Sequence, residues 1–307
     1  MARKLFGPGA RGVIITEIQA ALRSAGYPIA TDGVFGKETI DALTSYQRQA
    51  NLAATATVDD LTWLSLTKLP VPSTADRSLQ LTAAFENHTY SLAKGNFDGA
   101  WLTWGIIGFT MKHGEVQTIV LEIYRKNPAL LDQAFGTQAG ELLRICQSDP
   151  LTQKAWANQI SLPGGQLAQQ WRSAFARFGS LPEVQRSQDV HAREDYYKPA
   201  IRTAKLWGLT SELGVAMCFD IHVQNGGISE EAAQKVRAQI RLVKPQTERG
   251  LREMIARAVA DTARESYRND VLSRKLTIAR GFGNVHGQDY LLENWGLADI
   301  QAQSATA

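Results

Sequence analysis

Cysteine is nearly missing from this chain, with two residues, Cys146 and Cys218, among 307. They lie far apart in different apolar surroundings, which argues against a disulfide scaffold and against a CxxC metal or redox site, and leaves two buried thiols as the reading. Charge of one sign is scarce as well. Lys+Arg 33 against Asp+Glu 30 leaves a net charge of +3 without a basic cluster, so no nucleic-acid partner is expected and mild attraction to anionic surfaces is all that charge implies. No uncharged apolar run approaches the ~20 residues of a membrane span, so stable membrane insertion is not expected either. The start, MARKLFGPGARGV, is broken by Gly7, Pro8 and Gly9 where an export signal needs an apolar core, so synthesis in the cytoplasm without a signal peptide is the expectation. His88, His113, His191, His222 and His286 make no HxxxH or HExxH spacing, and neither a metal nor a cofactor is expected. A GxSxG elbow and a GxxxxGK[ST] loop are both missing. Gly7, Gly9 and Gly12 do spell GxGxxG, but no strand fits before them and no βαβ unit follows, so a dinucleotide loop is rejected.

What is present is an ordinary globular composition, 44% hydrophobic and 21% charged. Two of the ten prolines fall in LPVPSTADRS, Leu69 to Ser78, which reads as a linker over residues 70–77 between a head, 1–69, and a body, 78–307. In the head, Val13, Ile14, Ile18 and Leu22 form one helical stripe that ends at Gly26. Asp32-Gly33-Val34-Phe35-Gly36 supplies a turn rich in residues that tolerate positive φ. A second helix starts at Lys37 with Ile40, Leu43 and Tyr46 inward, and Asp59 and Asp60 suit the N-terminus of a third, which carries Leu61, Trp63 and Leu64.

That order resembles the small three-helix peptidoglycan-binding domain of cell-wall hydrolases. The resemblance rests on Ile18-Gln19, Leu22, Gly26-Tyr27, Asp32, Gly33, Phe35, Gly36, Thr39, Tyr46, Gln47, Val58 and Trp63, most of them turn or core residues. Ala53 to Thr57 departs from the family, which repeats an Asp-Gly turn there.

The body reads as mainly helical, with period-3.6 stretches over 138–146, 166–178, 201–219, 230–242 and 247–267. Only GNFDGAWLTWGIIGFTMKHG, Gly95 to Gly114, breaks the habit, and its composition suits a short antiparallel β-ribbon. Just upstream, Leu81, Ala84 and Phe85 mark the buried face of a helix that starts near Ser78, and Glu86 sits at its edge. Partial desolvation there would raise a carboxyl pKa, as a general acid requires. Asp98, in a glycine-flanked turn, would stay solvated and ionised. Two carboxyls in unlike surroundings are what glycosidic hydrolysis uses, although spacing alone equally fits a solvated helix end and an Asp-Gly turn.

Phe85-Glu86-Asn87, Asp98-Gly99, Thr103 and Gly105-Ile106-Ile107-Gly108-Phe109 resemble the catalytic segment of the chitosanases of glycoside hydrolase family 46, within the lysozyme-like superfamily. Tyr197 to Ala200, Ala204-Lys205, Gly208-Leu209, Phe219-Asp220 and Asn225-Gly226 extend the likeness more weakly. The resemblance implies Glu86 as general acid, Asp98 as general base and Thr103 as holder of the attacking water. It also implies Glu115, Trp101, Trp104 and Asn225 on the substrate, and Asp220 with Arg268 and Arg274 in a charged network behind the acid. The fold class expected is therefore a mainly α chain: a three-helix head plus a larger helical lysozyme-like domain with a short β-ribbon beside its cleft.

Together the two resemblances imply a peptidoglycan hydrolase, an N-acetylmuramidase that cuts the glycan strand by inversion, binds the strand and its stem peptide, and works as a monomer. A phage endolysin, released to the wall through a membrane lesion, and a secreted antibacterial effector both fit. A chitosanase, a lytic transglycosylase and a non-catalytic wall-binding structural protein are the alternatives.

Overall fold

A computed structural model describes residues 3–302 of the chain, so the outermost residues of the expected domains, 1–2 and 303–307, lie outside the described residues. Helices dominate, and the chain divides into two compact units, residues 1–85 with 195–307, and residues 86–194.

Within the first unit, the head is built from helices Val13–Ser24, Lys37–Gln49 and Asp60–Thr67, with strand Lys4–Phe6 antiparallel to Val58–Asp59. Ile15, Ile18, Leu22, Leu43, Val58 and Trp63 fill its core, and Phe6 meets Trp63 at 5.9 Å between ring centroids. Two buried glutamines pin the two interhelical loops in the same way. Gln19 accepts from Gly33 N (2.8 Å) and donates to Thr39 Oγ1 (3.0 Å); Gln47 accepts from Ala56 N (3.2 Å) and donates to Thr62 Oγ1 (3.2 Å). Ala56, at φ 57, therefore occupies the place that Gly33, at φ 73, takes in the first loop, and Thr55 to Thr57 form the second turn without an Asp-Gly pair.

The stretch expected as a linker is irregular only up to Ser73. Helix Thr74–Glu86 starts four residues earlier than expected, capped by the reciprocal Ser73 and Asp76 hydrogen bonds. Arg77 is buried and pairs with the fully buried Glu212, which also receives Arg3 from the head. Asn294 bonds Lys4 Nζ and the backbone of Gly7 and Pro8. Head and C-terminal segment are thus stitched together by polar contacts rather than separated by a free tether.

The rest of this unit surrounds helix Glu212–Asn225, which is buried from Glu212 to Ile221 and so reads as apolar all round. The single helix expected over 201–219 is two, Lys198–Leu206 and Glu212–Asn225, because Gly208 turns at φ 69 and Ser211 caps Gly214 N. Helix Glu230–Leu242 has the expected bounds. The stretch 247–267 holds Glu248–Asp261 and is followed by helix Arg268–Arg280 and a hairpin, Phe282–Val285 with Gln288–Leu291.

In the second unit, short strands Ala93–Lys94, Thr103–Trp104 and Phe109–Thr110 form the antiparallel ribbon. Helices Glu115–Lys126, Pro128–Phe135, Ala139–Cys146, Pro150–Ile160, Gln169–Gly179 and Pro182–His191 follow, around a core of Trp104, Phe135, Trp156, Trp171, Phe175 and Phe178. Both cysteines are free and buried, and burial pushes each thiol up to about 12. Among the described residues no helix is long and apolar enough to cross a membrane.

Candidate active site

Glu86 is the last residue of helix Thr74–Glu86 and is half-buried, whereas residues 77 to 85 before it are all buried. Asn87 follows at φ 51, which turns the chain out of the helix. A buried charge network lies behind this last turn. Asp220 accepts from Thr82 Oγ1 (3.0 Å), Arg274 (2.6 Å) and Lys275 Nζ (2.5 Å), and all three charged residues have no exposed surface. Burial alone would raise the Asp220 carboxyl, but the charges and hydrogen bonds of Arg274 and Lys275 outweigh it and hold the group well below the ordinary carboxylate range. The Arg274 guanidinium also lies 5.3 Å from the centroid of the Phe85 ring, which meets Tyr290 edge-on at 4.8 Å.

Asp98 sits in an exposed turn and accepts only from Ala100 N, at 3.0 Å, among its described hydrogen bonds. Asn96 organises that turn. Its Oδ1 accepts from Gly99 N (3.1 Å) and Trp101 N (3.2 Å), and its Nδ2 donates to Asn158 Oδ1 (2.7 Å). Gly95 packs so tightly on Ser161 that a Cβ would fall 2.5 Å from its hydroxyl. Trp101 is half-exposed at φ 70, an uncommon conformation for so large a residue.

Thr103 is half-buried on the middle strand, and Gly108 lets two side chains close over the strand turn. A Cβ there would fall 2.8 Å from His88 Cε1 and 3.1 Å from Thr103 Cγ2. Gln188, fully buried, accepts from Ile106 N (3.0 Å) and donates to the Tyr90 carbonyl (3.1 Å), which fixes the 105–106 turn. Glu115 opens helix Glu115–Lys126 and accepts from Thr110 N (2.7 Å) and Oγ1 (3.0 Å).

Three expected site residues lie elsewhere. Trp104 has no exposed surface and stacks on Phe178 at 5.4 Å, so it is core and not a sugar platform: on a strand the face alternates, and Thr103 takes the open side. Arg268 is exposed at the start of helix Arg268–Arg280 and outside the described Asp220 network, where Lys275 takes the second cation's place. Asn225 lines a cavity of about 110 Å³ with Gly227, Ser229, Val259, Thr262 and Ala263. In the head, Asp32 accepts from Gln19 Nε2 and Val34 N, Phe35 and Trp63 are core, Gly36 precedes the second helix, Tyr46 bonds Ser65, and Gln47 holds the second loop.

The sequence pattern of glycosyl hydrolase family 46 matches residues 80–256, more than half of the chain. The chain belongs to glycosyl hydrolase family 46. Its head, residues 11–66, matches a peptidoglycan binding domain. The chitosanase of Bacillus subtilis (strain 168) is 28% identical to this family 46 chain over 154 residues, which is 49% of this chain and half the length of that relative. A family 46 chitosanase of Gynuella sunshinyii, solved with chitotetraose, superposes with a TM-score of 0.52 at 18% identity, over 72% of this chain and 98% of that one, a likeness of fold.

Proposed function

We propose that this chain is a glycosidase that cuts the glycan strand of peptidoglycan, at the bond following N-acetylmuramic acid, by a single inverting displacement. The observation that carries the mechanism is the contrast between two carboxyls twelve positions apart, Glu86 half-buried on a fixed helix end and Asp98 exposed in a turn. Glu86 gives its proton to the glycosidic oxygen as the bond to the anomeric carbon breaks. Asp98 takes a proton from a water that Thr103 holds by its hydroxyl, and that water attacks from the opposite face. Exchange with solvent then returns a proton to Glu86 and removes one from Asp98. Such chemistry places the carboxyls ~6.5 to 9.5 Å apart, with water between them.

The head match supports the choice of substrate, since attachment to the wall raises the local concentration of strands without touching the chemistry. The enzyme would act as a monomer and reach the wall after release from the cytoplasm, as an endolysin or a secreted effector. Chitosan is the second reading, favoured by the chitosanase relative. Mass spectrometry of products from purified peptidoglycan and from chitosan decides. Reducing muramic ends with inverted anomers, followed by NMR, are expected. Anhydro ends would replace the mechanism with transglycosylation, and products from chitosan alone would move the substrate to the second reading.

A further inference from the structure

The Phe282–Leu291 hairpin turns on His286 and Gly287, at φ 51 and φ 78, between the paired residues Val285 and Gln288. Two central residues at positive φ define the tight hairpin turn for which asparagine-glycine is the favoured sequence. A histidine enters that conformation at a cost, and here its ring bridges two other elements. Nδ1 lies 3.0 Å from the Phe85 carbonyl oxygen, and Nε2 lies 2.5 Å from Asp270 Oδ1. The carbonyl only accepts. Asp270 is at the same time an acceptor for Gln224 Nε2, at 2.7 Å. Both ring nitrogens therefore face acceptors, and both bonds are made only when a proton sits on each line of contact, as in the imidazolium paired with a carboxylate.

The Phe85 carbonyl belongs to the last turn of helix Thr74–Glu86, where carbonyls have no partner within the helix and a cation is favoured by the helix dipole. Hydrogen bonds run on from Asp270 through Gln224 to Lys275 (2.6 Å), to Asp220 and back to Thr82. The helix that carries Glu86 is thus gripped twice, at Thr82 from inside and at Phe85 from the half-exposed ring of His286.

We propose that His286, in its doubly protonated form, is a positioning residue for Glu86: it holds the carbonyl of the preceding residue and lets go when the ring loses a proton. It lets go because the neutral ring keeps its one N–H on Nε2 for the Asp270 carboxylate, the stronger acceptor, and turns a bare Nδ1 to the carbonyl oxygen. The inference rests on Glu86 being the acid. Charged or titratable groups on the elements packed around the ring are Arg268, Asp270, Arg274, Lys275 and Arg280 of helix Arg268–Arg280, Asp76, Arg77 and Glu86 of helix Thr74–Glu86, and Asp289 and Tyr290 of its own hairpin.

The test uses the full chain and the variant His286→Asn, which suits the turn better than histidine and so keeps the hairpin folded while its side chain is too short to bridge. In wild type labelled with 15N-histidine and 13C-carbonyl phenylalanine, both ring nitrogens should be protonated at acidic pH, and the Phe85 carbonyl shift should follow the ring as it titrates. On solubilised peptidoglycan strands, His286→Asn should lower kcat about 10- to 100-fold with KM nearly unchanged, because a misplaced acid loses rate and not binding. The wild-type kcat should fall on the alkaline side over the range where the ring titrates, and the variant should lack that limb. A Phe85 carbonyl that ignores the ring overturns the proposal whatever the activity. A carbonyl that follows the ring, with kcat unchanged in His286→Asn and abolished in Glu86→Gln, overturns it too. If Glu86→Gln is itself active, the acid lies elsewhere and both readings fall.

Discussion

The helix end that carries Glu86 and the turn that carries Asp98 are built on opposite plans. The first is gripped by side chains from other elements: Thr82 by Asp220, the Phe85 ring by Arg274 and Tyr290, the Phe85 carbonyl by His286. The second is held largely by one local side chain, Asn96, and its tip from Phe97 to Gly99 is exposed. A proton donor to a bond oxygen must be placed within a few tenths of an ångström of its target, so rigidity serves it. A base that works through a water tolerates more freedom, because the water adjusts between them. The difference teaches that one of the fold's buried charge networks, Asp220 with Arg274 and Lys275, stands behind the first group, while the second rests on neutral hydrogen bonds.

The largest effect expected is from Glu86→Gln, which keeps shape and hydrogen-bonding volume but cannot give up a proton as an acid. Turnover should fall about 100- to 10,000-fold, with an unchanged melting temperature. Asp98→Asn should lose a comparable factor, and the pair sharpens the comparison if the two variants differ in nothing but which proton step is missing. Residual Asp98→Asn activity within a factor of two of wild type, together with anhydro-muramic ends, would break it.

Much of this was legible in the sequence where short-range patterns decide the outcome. The three head helices follow from apolar stripes and turn residues, helix Glu230–Leu242 from its periodicity, and the β-ribbon from the glycine and tryptophan mixture at Gly95 to Gly114. Glu86 at the end of a buried helix was readable from Leu81, Ala84 and Phe85, but that single stripe did not reveal that the helix is buried on every side from Arg77 to Phe85, Gln80 and Thr82 included. Long-range partners were not. Lys275 joins Asp220 across 55 positions, and nothing local marks it as buried. Arg268 stands at the exposed start of its helix, six residues or ~9 Å of axial rise before Arg274, away from the level at which Arg274 and Lys275 share the buried carboxylate. Trp101 and Trp104 look alike in sequence, but Trp101 precedes the strand in a turn at φ 70 and is half-exposed, whereas Trp104 lies on the buried face of strand Thr103–Trp104.

The Asp220 network offers the next largest test, read in stability rather than rate. Asp220→Asn leaves Arg274 and Lys275 buried without their carboxylate and should cost about 3 to 5 kcal/mol in chemical denaturation. The pH dependence follows from the direction of the shift. Because the carboxyl titrates lower in the folded chain than its ordinary 3.8, its contribution is complete above that value and is lost as pH falls below it toward the folded value. Wild-type stability should therefore drop more steeply below pH ~4 than that of Asp220→Asn. Parallel curves would mean that the network does not stabilise the helix end through this charge.

The smallest effect should come from Asn96→Ala, which removes the acceptor for Gly99 N and Trp101 N and the bond to Asn158 while leaving Asp98 in place. A neutral hydrogen bond contributes about 0.5 to 1.5 kcal/mol, so if the turn matters only through where it holds the base, kcat should fall about two- to tenfold. Asn96→Asp, which keeps an oxygen at the same position, should restore most of that. The melting temperature should barely move, because the turn is exposed and its loosening costs little burial. A loss as large as that of Asp98→Asn would show that the turn needs the same rigidity as the helix end, and the contrast between a gripped acid and a loosely held base would no longer stand.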